Sequence, residues 1–312
     1  QMDYALSRGV NFFDTAEMYA VPPTAETYGK TETIIGNWFA ERQNRDQVIL
    51  ATKIAGPGLS WVRDGKNYLD RQNIQQAVEA SLKRLQTDYI DIYQLHWPNR
   101  GSYHFGQYWH YCPVDVDTKK AQDEFAEILE TFDDLIKQGK IRHIGLSNET
   151  AWGVMEYMRI SGEKNLPRMA SIQNEYNLLN RIFEPDLAEI ALREDIGLLA
   201  WSPLATGMLS GKYIDGARPE GSRWTLLDNP PRDNQISNDA VKSYVQIAEK
   251  HGLDVNQMAL AFVNSQPFVT ANIIGATNMK QLKTNIDSID VTLNDDVLND
   301  IHTVYRTYPQ AF

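Results

Sequence analysis

Short apolar runs alternate along the chain with longer stretches in which apolar residues recur at helical spacing. The strand-like runs are 11–14 (NFFD), 48–52 (VILAT), 90–95 (IDIYQL), 141–146 (IRHIGL), 170–174 (ASIQN), 196–201 (IGLLAW) and 271–275 (ANIIG). Helical periodicity falls at 2–9, 30–43, 71–85, 122–138, 150–161, 184–194, 238–251 and 256–264, with closing helices at 279–287 and 294–305. Gly139 and Gly162 stand where helices are expected to stop, and Asp70 where one is expected to be capped.

Regular strand–helix alternation predicts a parallel sheet built from βαβ units. Seven strands are legible, and an eighth ahead of the helix at 2–9 would complete a barrel. The expectation is therefore an α/β protein, a (β/α)8 TIM barrel forming one domain over 1–312, N-terminally incomplete and lacking its first strand. A doubly wound open sheet is the competing architecture. No G-x-G-x-x-G follows any of the strands, which leaves a Rossmann cofactor site unsupported. Two long irregular stretches, 97–121 and 205–236, are expected to be functional loops.

Composition narrows the partners. A net charge of −11 and a pI near 5.0 argue against duplex nucleic acid or an anionic membrane surface, though a local basic pocket for a phosphate remains compatible. No apolar run is long enough to span a bilayer. The one cysteine, Cys112, excludes an intrachain disulfide and points to a reducing cytoplasm. His104 and His110 share no metal-ligand spacing with a cysteine or an acidic cluster, so metal catalysis is not expected. The segment GMLSGK (Gly207 to Lys212) has the outline of a phosphate loop but is one residue short, and Tyr213 stands in the hydroxyl position.

The chemical signal lies at strand ends. Asp14 closes the first strand and Tyr19 follows it (DTAEMY); Lys53 ends the next (ATK), and His96 the one after (IYQLH). Each alone is unremarked: such lysines are mostly solvated, such histidines mostly packed. In a barrel, however, these ends converge on one mouth. A phenol with a reference pKa near 10 is a sluggish acid at neutral pH, and a neighbouring ammonium favours its ionised form. A buried lysine needs a counter-charge, which Asp14 would supply. An imidazole at His96 would hold a carbonyl oxygen while hydride reaches the carbon. A barrel aldolase with Lys53 as Schiff base is a competing chemistry for the same lysine.

These segments, joined by SLKRLQTDYIDIYQLH, resemble the aldo-keto reductase superfamily, most of all its bacterial Tas-type members and more distantly the potassium-channel β subunits. VPP after the tyrosine, GLSNET, IQNEYNLLNR, SGKY, MALAFV and GAT-x-M-x-QLKTN support the resemblance in order along the whole chain. It implies carbonyl reduction with NADPH, with Asp14, Tyr19, Lys53 and His96 as catalytic tetrad. It further implies that Ser147, Asn148 and Gln173 bond the nicotinamide carboxamide and that Trp201 stacks on the ring. Ser202, Leu204, Gly207, Lys212 and Arg223 correspond to the pyrophosphate segment, and Gly275, Thr277, Gln281, Thr284 and Asn285 to the adenosine end. Many members carry a Lys and an Arg where this chain has Gly275 and Gln281, which weakens the NADPH preference without reversing it; Lys280, Lys283 and Arg223 are nearby charges.

Loop 97–121 carries Trp97, Tyr103, Phe105, Tyr108, Trp109 and Tyr111. These rings either line a pocket for apolar carbonyls, with Trp97 against substrate, or pin the loop to the barrel. The alternative to a reductase is a non-enzymatic NADPH-binding redox-sensing subunit, as the channel resemblance allows. The expected partner is a small-molecule carbonyl, and homo-oligomers are compatible with the sequence.

Overall fold

The computed structural model describes residues 1–227, 230 and 232–312. The chain divides into two compact units, one of Gly9–Gln173 and one of Gln1–Arg8 with Asn174–Phe312.

In the first unit, five strands alternate with helices: β1 (Phe12–Asp14), β2 (Ile49–Ile54), β3 (Ile90–Leu95), β4 (Ile141–Ser147) and β5 (Met169–Gln173). Each pairs in parallel with the next in chain order. Between them run α2 (Lys30–Arg42), α3 (Arg71–Leu85), α4 (Thr118–Lys137) and α5 (Ala151–Lys164). β2 is buried at every position after Ile49, as expected of a parallel strand covered on both faces. Glycine sets one close approach. A Cβ on Gly145 would fall 2.5 Å from Ser171 Oγ and 3.2 Å from Gln94 Cγ, so the bare backbone of β4 leaves room for Gln94.

The second unit holds α1 (Met2–Ser7), α6 (Leu187–Glu194), β6 (Gly197–Trp201), α7 (Gln235–Lys250), α8 (Val255–Asn264), β7 (Val269–Ile273), α9 (Met279–Asp287) and α10 (Asp295–Thr307). β6 and β7 are parallel neighbours, and α1 is tied in this unit by Arg8–Asp287 at 3.0 Å. Seven parallel strands alternating with helices make the chain an α/β protein of the (β/α)8-barrel type.

Four elements depart from expectation for local reasons. α4 and α7 begin at Thr118 and Gln235, earlier than their apolar periodicity suggests, because Asp117 and Asn234 cap polar first turns. Gly162 does not end α5. The helix runs on to Lys164, and Asn165 takes the left-handed cap position at φ 51°. β7 is displaced by two residues, which frees Ile274 and Gly275 for the loop. Gly139 does follow α4 in the left-handed region, at φ 75°, and the Asp70 carboxylate accepts from Asn73 N–H at 2.8 Å.

Candidate active site

Four side chains from the C-terminal ends of β1, β2 and β3 meet in the first unit. Lys53 is fully enclosed, and its Nζ donates to Asp14 Oδ2 at 2.6 Å and to Thr15 O at 2.8 Å. The other Asp14 oxygen accepts from Gln173 Nε2 at 2.8 Å and from Gln94 Nε2 at 3.3 Å. Asp14 is thus satisfied on both oxygens, the condition under which a buried ion pair is tolerated. Lys53 Nζ lies 5.4 Å from the centre of the half-buried Tyr19 ring, and the His96 ring stands edge-on to it at 5.7 Å.

Burial and the nearby Lys53 charge hold the His96 pKa well below the ordinary histidine value, so the imidazole is neutral at neutral pH. Its Nδ1 is buried with no hydrogen-bond partner among the described residues. An unpaired buried polar atom of this kind costs desolvation energy. The arrangement accordingly brings a phenol and a neutral imidazole together, with the enclosed Lys53 ammonium beside the phenol and its charge balanced by Asp14.

Ser147, Asn148 and Gln173 are brought to the same end. Ser147 Oγ donates to Gln173 O at 2.8 Å, and Asn148 Nδ2 donates to His96 O at 2.9 Å. Trp97 is fixed by its Nε1–H to Pro57 O at 3.0 Å; its ring lies 5.0 Å from His96 and 6.2 Å from the half-exposed Phe105. Among the described residues no group of three or more His, Cys, Asp and Glu side chains is placed to hold a metal.

The remaining residues singled out in the sequence lie in the second unit. Trp201 ends β6, and the chain then turns through left-handed conformations at Ser202, Ala205, Thr206, Gly207 and Gly211. A Cβ on Gly207 would come within 3.3 Å of Lys212 Nζ, so glycine keeps the backbone open beside that ammonium. Leu204 lies within this turn, and the exposed Arg223 opens a 3-10 turn that buries Trp224. After β7, Gly275 is exposed with nothing within 4 Å of a would-be Cβ. Gln281 Oε1 accepts from both Thr277 N–H and Thr277 Oγ at 2.9 and 3.0 Å. Asn285 Nδ2 donates to Gly275 O at 3.3 Å, and Gln257 Nε2 to Thr284 O at 3.2 Å. Open glycine backbone beside a lysine, and hydroxyl and amide groups around the start of α9, fit a phosphate-bearing dinucleotide. Lys280 and Lys283 are exposed, and Lys283 Nζ sits over the Tyr4 ring at 5.5 Å.

Two groups escaped the sequence reading. Gln94 is fully buried against Asp14, and its parity with His96, two residues on, was the available signal. Glu17, inside the DTAEMY segment, is fully buried and paired with Arg63; no local pattern marks that partner.

The fold and this strand-end cluster define a barrel protein equipped for polar chemistry at one site. The chain belongs to the aldo/keto reductase family, which it matches over residues 1–306. It is 48% identical to "Protein tas" of Escherichia coli over 315 aligned positions, covering 99% of this chain and 89% of that protein. It is 32% identical to the "Uncharacterized oxidoreductase YrpG" of Bacillus subtilis, covering 97% and 85%. It is 31% identical to the "Probable voltage-gated potassium channel subunit beta" of Arabidopsis thaliana, covering 97% and 85%. Membership supports an oxidoreductase activity. Among the described residues no helix is long and apolar enough to cross a membrane.

Proposed function

We propose that this protein reduces aldehyde or ketone carbonyls to alcohols with NADPH, Tyr19 acting as general acid. The single observation behind this reading is the placement of Tyr19 beside both the enclosed Lys53 ammonium and a neutral, buried His96. When bound, NADPH would supply the hydride that the carbonyl carbon receives. His96, neutral at working pH, orients the carbonyl oxygen as a hydrogen-bond donor. Tyr19 gives it a proton, and the resulting phenolate faces Lys53 until solvent reprotonates it. Asp14 neutralises Lys53 and, through Gln173 and Gln94, fixes where the ammonium sits.

In this reading Ser147, Asn148 and Gln173 hold the nicotinamide amide and Trp201 its ring face. Ser202, Leu204, Gly207, Lys212 and Arg223 take the pyrophosphate; Gly275, Thr277, Gln281, Thr284 and Asn285 take the adenosine end. Trp97 forms the wall met by the carbonyl's apolar substituent. We place the protein in the cytoplasm, a reducing setting with which a lone exposed Cys112 is compatible. Similarity to a channel β subunit favours, as second reading, a non-enzymatic NADPH-binding redox sensor.

A panel of aliphatic and aromatic carbonyls assayed with NADPH and with NADH tests both. Turnover with kcat/KM favouring NADPH is the expected outcome. Tight NADPH binding without turnover of any carbonyl would leave the sensor reading, and equal efficiency with both cofactors would contradict the NADPH preference.

A further inference from the structure

Glu17 lies two residues before Tyr19, is fully enclosed, and has no part in the proton transfer described above. Its main-chain N–H donates to Lys53 O at 3.1 Å, and its carboxylate accepts Ala55 N–H at 2.7 Å. One residue thus continues the β1–β2 ladder on both sides of the strand end that carries Lys53. The same carboxylate accepts a two-pronged contact from Arg63, at 2.8 and 2.9 Å, and the Tyr28 hydroxyl at 2.8 Å. Four donors from three segments fill a carboxylate that has about four lone-pair sites.

The network extends further along β2. Arg84 stacks over the Tyr28 ring at 5.2 Å and donates to the buried Glu32 at 2.6 Å. The other Glu32 oxygen accepts from Thr52 Oγ1, also at 2.6 Å. Buried pairs of this kind add little net stability over apolar packing, because desolvation offsets their attraction. What they add is direction: each bond fixes an angle as well as a distance. Here that direction converges on the turn bearing Tyr19 and on the residues flanking Lys53.

We propose that Glu17, held by Arg63 and Tyr28, is the positioning residue that sets the Tyr19 turn against the Lys53 end of β2. The inference rests on the proposed role of Tyr19. The influence of an ammonium on a phenol falls with separation, so a looser turn weakens the coupling of Tyr19 to Lys53. The ionisable groups facing Tyr19 include Lys53 of β2 and His96 following β3, with Asp14 of β1 paired to Lys53. Those facing Glu17 are Tyr28, Arg63, Arg84 and Tyr93.

The test uses Tyr28→Phe, which removes one donor while Arg63 still balances the charge, Arg63→Lys, which keeps the charge and loses the fork, and Glu17→Gln. Tyr19 is titrated in each by ultraviolet difference against the same protein carrying Tyr19→Phe, and kcat and both KM values are measured alongside thermal unfolding. The phenol is expected to titrate higher than in the wild type by at least about half a unit. kcat is expected to fall roughly three- to tenfold in Tyr28→Phe with both KM values held within about twofold. Tyr19 titrating at its wild-type value in folded Tyr28→Phe and Arg63→Lys would overturn the proposal, as would a kcat loss that merely follows the melting temperature. Should Glu17→Gln fail to fold, the two milder variants decide. The titration needs no turnover, so a wild-type protein inactive on every carbonyl would reject the reductase reading by a separate result.

Discussion

Lys53 Nζ and Asp14 Oδ2 stand 2.6 Å apart, with the lysine side chain wholly shut off from solvent and the aspartate nearly so. Removing one member of such a pair leaves the other charge buried and unpaired, at a cost on the order of 3–5 kcal/mol. Lys53→Met is therefore expected to lower unfolding free energy by about that amount and to abolish reduction. The double variant Lys53→Met/Asp14→Asn should regain much of the stability but none of the activity. Urea denaturation of the two variants separates these outcomes; equal destabilisation in both would show that the charge on Asp14 is not what the single change exposes.

Tyr19→Phe separates proton transfer from binding. The phenol oxygen acts along the reaction coordinate, so its loss belongs in kcat and not in cofactor affinity. kcat is expected to fall by roughly 10²- to 10⁴-fold, the usual worth of a positioned acid, with the NADPH dissociation constant unchanged by fluorescence titration. Near-wild-type turnover in the variant would remove Tyr19 from the mechanism.

How much of this was legible in the chain differs by residue. β3 at Ile90–Leu95 and α3 at Arg71–Leu85 fall where the periodicity puts them, because apolar spacing and the Asp70 cap act locally. The strand ends carrying Asp14, Lys53 and His96 were visible for the same reason. Arg63 was not: it reaches Glu17 across 46 positions from an irregular segment with no period to read. The turn after β6 was half visible. Gly207 and Gly211 announce left-handed backbone, but Ser202, Ala205 and Thr206 adopt it without glycine, under tertiary constraint. Gly162 misled in the other direction, since a glycine in the last turns of a helix can stay helical when the following asparagine supplies the left-handed cap.

Two histidines, the buried His96 and the part-buried His104, contribute to the acid side of the stability profile. Burial lowers the pKa of His104 to about 4 and holds His96 well below its ordinary value. The unfolded chain protonates both near 6.5, while the folded chain resists until far lower pH. Between those limits the unfolded state binds more protons, so stability falls as pH falls and is intact above about 6.5. The melting temperature should decline from about pH 6.5 towards 4, and His104→Gln should flatten part of that slope. For the same reason the pH profile of kcat/KM should show no acid limb near 6.5. An acid limb there that disappears in His96→Gln would mean that the imidazole titrates in its ordinary range.

Arg100 and Glu149 join loop 97–121 to the turn after β4. The guanidinium engages both Glu149 oxygens, one at 3.0 Å and the other in a shorter contact, and donates to Thr150 Oγ1 at 3.1 Å. It lies over both the Phe125 and Trp152 rings, at 5.2 and 5.0 Å, and His104 Nε2 meets Glu149 O at 3.1 Å. The segment that begins at His96 is thereby fastened to the residue following Asn148. Asn148 has its own anchors, donating from Nδ2 to His96 O at 2.9 Å and from its main chain to Gln173 O at 3.0 Å. Arg100→Ala should therefore act unequally on the two ligands. Stability is expected to drop by about 3–5 kcal/mol, because buried Glu149 loses the guanidinium that balances its charge. In the protein that remains folded, the KM for an aromatic carbonyl should rise several-fold more than the KM for NADPH, since the loop carrying Trp97 loses its tether while Asn148 keeps both bonds. Arg100→Lys should restore much of the stability through its charge, but less of the carbonyl KM, because an ammonium cannot reproduce the fork. Steady-state kinetics of the three proteins at matched temperature check this; parallel rises in both KM values would show that the clamp serves the cofactor turn and the carbonyl side alike.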